Sequence, residues 1–138
     1  MALLIGFLLV ALVGVAHQVS LRGLDKLVGP EKEQPSRSII VVFIGLLAIH
    51  TCEIVLFASA YRILLALDWM GTFTAHYDGS WSDLIYFSGI NFVTLGYTQI
   101  QTEGPIRMIS MMQSLGGFML LTWSATFIYS AWERAFRE

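Results

Sequence analysis

Apolar residues fill three long stretches of this chain, and polar residues collect between them. Segment one, ALLIGFLLVALVGVAHQV, runs from Ala2 to about Val19. It is just long enough to cross about 30 Å of hydrocarbon at about 1.5 Å per residue. A cleaved secretory signal is the competing reading, but no Lys or Arg precedes the run, and it is long for such a leader. SLRGLDKLVGPEKEQPSRS follows, carrying Arg22, Lys26, Lys32 and Arg37 together with Gly29, Pro30 and Pro35, and reads as a polar connector containing a helix stop. Segment two stays apolar from about Ser38 to Leu67, interrupted by HTCE and by Arg62. As one helix it is about 45 Å long and must tilt or project beyond the lipid. Segment three runs from about Arg107 to Ser130, introduced by the helix-start signal Gly104-Pro105 and followed by Trp132 at the interface.

Between segments two and three lies SWSDLIYFSGINFVT, Ser80 to Thr94, which is too short to cross. Its Ser-Trp-Ser-Asp start offers a helix cap. About eleven helical residues reach roughly 16 Å, half the hydrocarbon thickness, so the pattern predicts a re-entrant helix.

Composition agrees with the pattern. The chain has 138 residues, 56% hydrophobic and 13% charged, with a mean hydropathy of +0.67. Such sparse, clustered charge does not make the polar surface of a soluble domain, and the class is integral membrane protein. A formal net charge of −2 leaves no footprint for nucleic acid. Cys52, the single cysteine, reads as a small buried side chain without compartment information.

Basic residues set the expected orientation. The connector holds four of the eight, and the tail AWERAFRE adds Arg134 and Arg137, whereas the other side has only Arg62 and Arg107. The positive-inside rule places connector and tail in the cytoplasm and the N-terminus outside. Asp68, Asp78, Asp83 and Glu103 then surround the outer face of the re-entrant segment, where an acidic rim gathers cations.

NFVTLGYTQI, Asn91 to Ile100, is the stretch that bears on function. Non-helical backbone survives at membrane depth only where protein buries it or where it lines a watery path. After the re-entrant helix, TLGYT must climb back toward the outer face in an extended form. Four such strands around an axis present rings of carbonyl oxygens that replace an ion's hydration shell. The C-terminal, partly negative end of the re-entrant helix favours a cation mid-membrane. From about Ser38 to Ser130 the chain resembles the pore module of the bacterial two-transmembrane potassium-channel family. The stretch that carries the likeness is SDLIYFSGINFVTLGYTQI followed by GPIRMISMMQSLGGFMLL.

The resemblance implies an all-α membrane protein in the potassium-channel pore fold, with one added N-terminal transmembrane helix, assembled as a four-fold homotetramer. Its parts are an N-terminal helix and connector over 1–37, a pore module over 38–130 and a cytoplasmic tail over 131–138. Within the module it implies an outer helix over 38–67, a pore helix over 82–93, a filter over 94–98 and an inner helix over 107–130. By the family pattern Thr94, Leu95, Gly96 and Tyr97 match the filter, with the Thr94 hydroxyl as innermost ligand and K+ held at Thr94, Leu95 and Gly96. Gly116 or Gly117 resembles the inner-helix gating hinge; close helix packing is the equal alternative. Asn91 and Gln99 flank the filter as support, and Asn91 is equally a simple packing residue of the pore helix.

Thr98 departs from the pattern, since the family filter continues Gly-Asp where this chain has Thr98-Gln99. A left-handed backbone at a β-branched residue costs on the order of 1–2 kcal/mol. Thr98 is therefore expected to keep ordinary dihedrals, at the expense of the outermost ion site. Pore-loop potassium-uptake transporters resemble this arrangement in keeping one glycine, but carry four modules per chain.

His50 and Glu53, three residues apart, share one face of segment two near mid-membrane. An intramembrane ionisable residue is a functional candidate by default. The structural alternative, favoured here, is a protonated Glu53, or one bonded to Gln113 or to a hydroxyl of segment three. Glu53 costs about 3 kcal/mol on the scale of other charged residues, and the flanking apolar residues return more at about 0.5 kcal/mol each, so the segment still inserts. Met108, Met111 and Met112 read as core. No His/Cys cluster has metal-site spacing, so copper and zinc find no support in the sequence. Trp69, Trp81 and Trp132 read as interface belt residues and Trp123 as packed between helices. No nucleophile stands with a base and no phosphate loop occurs, so an enzyme has nothing to rest on. Regularly spaced arginines, as a voltage sensor requires, are absent as well.

The expectation is therefore a passive monovalent cation channel, without cofactor, that prefers K+ with weakened selectivity. A non-selective Na+/K+ channel and a non-conducting, channel-like protein working with a partner are the alternatives. By resemblance its setting is a plasma membrane of the bacterial inner-membrane kind, where it passes through the lipid several times. Any regulation comes from the membrane, from pH, through the N-terminal helix, or from an unidentified regulatory protein.

Overall fold

A computed structural model describes residues 1–28 and 35–136. Its elements, in order, are α1 (Ala2–Val28), α2 (Pro35–Leu64), β1 (Thr72–Ala75), α3 (Trp81–Phe92), β2 (Ile100–Glu103) and α4 (Ile106–Phe136). The three long helices pack on one another, and the short α3 is wedged against α2 and α4.

α1 continues nine residues past the end of its apolar run. The polar connector expected from Ser20 onward is helical as far as Val28. Burial recurs at His17, Leu21 and Leu24, a spacing of four and three that keeps one face inward. Leu21 and Leu24 pack with Val42, Leu46 and Ala131, while Arg22 and Lys26 point outward. Gly29, Pro30, Lys32 and Arg137, assigned above to connector and tail, lie outside the described residues.

α2 starts at Pro35 rather than Ser38, a proline at a first helical position where its missing N–H is no loss. It ends at Leu64, earlier than Leu67, because the chain turns there toward β1. α4 starts at Ile106 and reaches Phe136, so the inner helix is longer at its C-terminal end than the apolar pattern predicts. Ala131 and Ala135 there are buried. The Arg134 guanidinium lies 3.0 Å from the Asp25 carboxylate on α1, an exposed pair worth at most about 1 kcal/mol.

The two-stranded sheet is unforeseen by the hydrophobic pattern. β1 and β2 pair antiparallel, with Thr72 opposite Glu103 and Ala75 opposite Ile100. They flank α3 in the sequence and so close the α3 segment into a loop with a hydrogen-bonded neck. Gly71 and Gly104 make that neck possible: both have positive φ, and a Cβ on Gly71 would strike the Glu103 carbonyl. An aromatic group consisting of Tyr61, Phe73, Tyr77 and Phe87 fixes the sheet to α2 and α3, with Phe73 and Phe87 centroids 4.3 Å apart.

α1 and α2 are each long and apolar enough to cross a membrane. Their outward faces carry Phe7, Leu8, Leu12, Ile40, Phe43 and Leu47, all more than half exposed. A chain surrounded by water rarely presents so continuous an apolar surface, and lipid is the solvent that matches it. α4 has the length, about 46 Å, but is less apolar over its span.

Candidate functional site

Two sets of residues draw attention: the loop that leaves α3, and a buried polar layer behind it. α3 begins with a cap at Ser80, whose backbone is extended (φ −75°, ψ 157°) and whose hydroxyl accepts the Asp83 amide at 3.1 Å. Asp78 accepts the Ser80 amide at 2.8 Å, and the Asp83 carboxylate accepts the Asp78 amide at 2.9 Å. Hydrogen bonds from the Ser80 side chain and amide hold the Asp78 carboxyl below the usual carboxylate range. The helix start expected at Ser-Trp-Ser-Asp is thus present, one residue earlier than 82.

α3 stops because Thr94 turns left-handed (φ 59°). The Leu95 amide then bonds the Ile90 carbonyl at 3.1 Å and the Thr94 amide bonds the Asn91 carbonyl at 3.0 Å. This pair of bonds is a Schellman closure, here with a β-branched residue where glycine is usual. Gly96 is left-handed as well (φ 62°). The segment 94–98 is therefore not the regular extended strand that the sequence suggests, because two of its residues rotate the other way.

Thr98 keeps ordinary dihedrals, as expected, and its hydroxyl accepts the Ile100 amide at 3.1 Å, leading the chain into β2. Leu95 is 68% and Tyr97 81% exposed, and Thr94, Gly96 and Gln99 are exposed beside them. The Asn91 amide donates to the Phe87 carbonyl of its own helix at 2.8 Å and does not reach behind the loop. Within the single chain its side-chain bond stays inside α3. A cavity of about 330 Å³ lies beside the loop, lined by His76, Asp83, Tyr86, Tyr97, Gln99 and Ile100.

Gly116 and Gly117 sit buried in an unbroken α4. A Cβ on Gly116 would meet the Val10 side chain of α1, and one on Gly117 would collide with the Phe92 carbonyl. Both are places of close packing, Gly116 against α1 and Gly117 against the end of α3.

Behind α3 the polar layer is complete. Gln113 donates to the Ser88 carbonyl at 3.1 Å and to its hydroxyl at 2.8 Å, and accepts from the Tyr61 hydroxyl at 2.7 Å. Ser88 donates onward to the Ile54 carbonyl at 2.7 Å. These bonds lock α3 between α2 and α4, and a buried network of this kind stabilises only because each member is satisfied. Gln113 is thus engaged elsewhere and does not meet Glu53. Instead Glu53 lies between two imidazoles: His17 Nδ1 is 2.8 Å from Oε1 and His50 Nδ1 is 2.8 Å from Oε2. His17 Nε2 is 3.3 Å from the Ser124 hydroxyl, the two rings stack at 5.5 Å, and the His50 ring is 5.5 Å from that of Phe92.

His17, Tyr61 and Ser88 thus join the residues the sequence singles out. For His17 the signal is visible, a lone ionisable side chain in an apolar span. Cys52 corrects an expectation: it is exposed, because the face shared by His50 and Glu53 turns it outward. Met108 and Met111 are half-exposed and only Met112 is buried, so the methionine trio is not a common core. Trp69, Trp81 and Trp132 are about half-exposed near the ends of the helices. Trp123 is also largely exposed, with its ring 5.5 Å from that of His17.

Long apolar-faced helices and a short capped helix delivering an exposed, glycine-containing loop define a membrane protein with a pore-type segment. An ion channel family profile matches residues 49–134, more than half of the chain and all of the segment from His50 to α4. The chain belongs to that ion channel family, a family of channels rather than of enzymes. No curated protein and no solved structure matches it.

Proposed function

We propose that four copies of this chain surround one pore and pass monovalent cations through Thr94–Thr98, with K+ preferred over Na+. The observation that carries this is the loop itself. A helix packed against α2 and α4 of its own chain ends in six residues, 94–99, of which only Thr98 is even partly covered. Folding one chain does nothing with the Leu95 and Tyr97 side chains or the backbone around Gly96; a ring of copies does. The α3 macrodipole places its partly negative end at this loop, where a cation gains. α4 supports the reading from the other side. Thr122, Thr126 and Ser130 recur every four residues on a half-open face, each hydroxyl donating to the carbonyl four residues back. Such a hydroxyl stripe is compatible with a water-filled cavity, its donors already satisfied within the helix. The described ends of α1, α2 and α4 nearest the connector share one side, which the basic residues assign to the cytoplasm of a plasma membrane.

Thr98 favours a second reading, a channel that does not discriminate Na+ from K+. Its hydroxyl is committed to the Ile100 amide, and its backbone does not adopt the conformation of a second filter glycine. Purified protein in liposomes under opposed Na+ and K+ gradients separates these readings. A reversal potential near that of K+ supports preference, and one near zero supports the second reading. An absence of flux points to a non-conducting member that acts through a protein partner.

A further inference from the structure

His17, His50 and Glu53 come from two helices and 36 residues of sequence separation, yet their ligand atoms all lie within 4.8 Å of one another. The His17 side chain is fully buried, Glu53 4% and His50 14% exposed. Both imidazoles turn Nδ1, not Nε2, to the same carboxylate, one to each oxygen. On the far side of His17 the Ser124 hydroxyl stands 3.3 Å from Nε2 and holds the ring in place. Metal-binding histidines characteristically have their second nitrogen held in this way.

We propose that this group is a binding site for a divalent transition cation of the Zn2+ class, fastening α1 to α2. Two nitrogens and one carboxylate oxygen suit Zn2+ and its neighbours, while Ca2+ and Mg2+ demand oxygen ligands. A four-coordinate ion at about 2.0–2.1 Å from each ligand sets its donors roughly 3.4 Å apart, so rotamer-scale movement of Glu53 and the rings closes the site. Water takes the fourth position.

The position of the site gives the ion its role. His17 lies outside the matched channel segment, whereas His50, Glu53 and Ser124 lie inside it. The ion therefore clamps the N-terminal helix onto the pore module, beside Phe92 at the end of α3. The proposal does not depend on conduction, and its test reads metal rather than flux.

The full chain, purified in detergent, saturated with Zn2+ and freed of excess by gel filtration, is assayed for metal by mass spectrometry. About one Zn2+ per chain is expected, falling at least tenfold in His17→Ala and in His50→Ala. Gel filtration and circular dichroism establish that the variants fold. Should they fail to fold, Co2+ loaded into the wild-type chain supplies the second readout. Visible absorption bands of four-coordinate Co2+, abolished by competing Zn2+, are expected. A Zn2+-saturated wild type with no bound metal and no Co2+ bands overturns the site and leaves a hydrogen-bonded triad. So does a metal content that the folded His17 and His50 variants leave unchanged.

Discussion

Two polar regions lie a few residues apart around Phe92, and they are built on opposite terms. Behind it, Glu53 meets His17 and His50 while Gln113 meets Tyr61 and Ser88; these groups are buried and all find partners within the chain. Among the described residues, no buried side-chain nitrogen or oxygen lacks a hydrogen bond. In front of it, Thr94 to Gln99 leave the helix through two left-handed residues into open surroundings. The first region shows what a single chain completes by itself. The second has backbone geometry that nothing in the single chain packs against, which the proposed ring of copies would use.

That contrast gives the largest predicted effect. Gly96→Val places a Cβ where nothing lies within 4 Å, at a left-handed φ. It costs the isolated fold only about 1–2 kcal/mol. Flux into liposomes nevertheless falls to that of protein-free vesicles, since any ring of carbonyls built on residue 96 is deformed in every copy. Flux that survives breaks the comparison.

Glu53→Ala has the reverse profile. It leaves two buried imidazoles without their partner and destabilises the fold by about 3–5 kcal/mol, read as a lowered thermal midpoint in detergent. Any loss of flux then follows unfolding and is recovered on cooling to where the variant is folded.

Gly117→Val sits between the regions, driving a side chain into the Phe92 carbonyl. A loss of about 1–3 kcal/mol is expected by thermal unfolding, with slower flux at temperatures where the protein remains folded. Thr98→Gly is gentler. It removes one hydrogen bond to the Ile100 amide, worth about 1 kcal/mol, and moves the reversal potential toward that of K+. An unchanged potential separates position 98 from selectivity.

The smallest effect concerns pH at the turn before α3. The Asp78 carboxyl is held below its ordinary range by Ser80, so its stabilisation is complete above the unfolded value and fades as pH falls through the folded one. Asp78→Asn removes this part of the acid dependence, measurable as a flatter thermal midpoint below the ordinary carboxylate range. Position 78 is fully exposed, and the change is slight.

Much of this layout is legible in the hydrophobic pattern. The short helix α3 announces itself by length, by its Ser80 cap and by the loop that follows, and Glu53 stands out as a charge in an apolar run. What stays hidden comes from elsewhere in the chain. Nothing in the spacing of His50 and Glu53 points to His17, which reaches them only because α1 packs across α2. The continuation of α1 to Val28 rests on Leu21 and Leu24, isolated apolar residues whose periodicity the surrounding charges mask. The β1–β2 neck escapes notice because four-residue strands carry little pattern and their pairing is non-local. Thr94 in a left-handed closure runs against β-branched preference, and such conflicts between residue and conformation concentrate at functional sites.

Native mass spectrometry of the complex released from detergent tests the central claim most directly. The account predicts a dominant species of about four times the 15.4 kDa chain mass. A protein that remains a single chain or a pair across the concentrations where it conducts contradicts it.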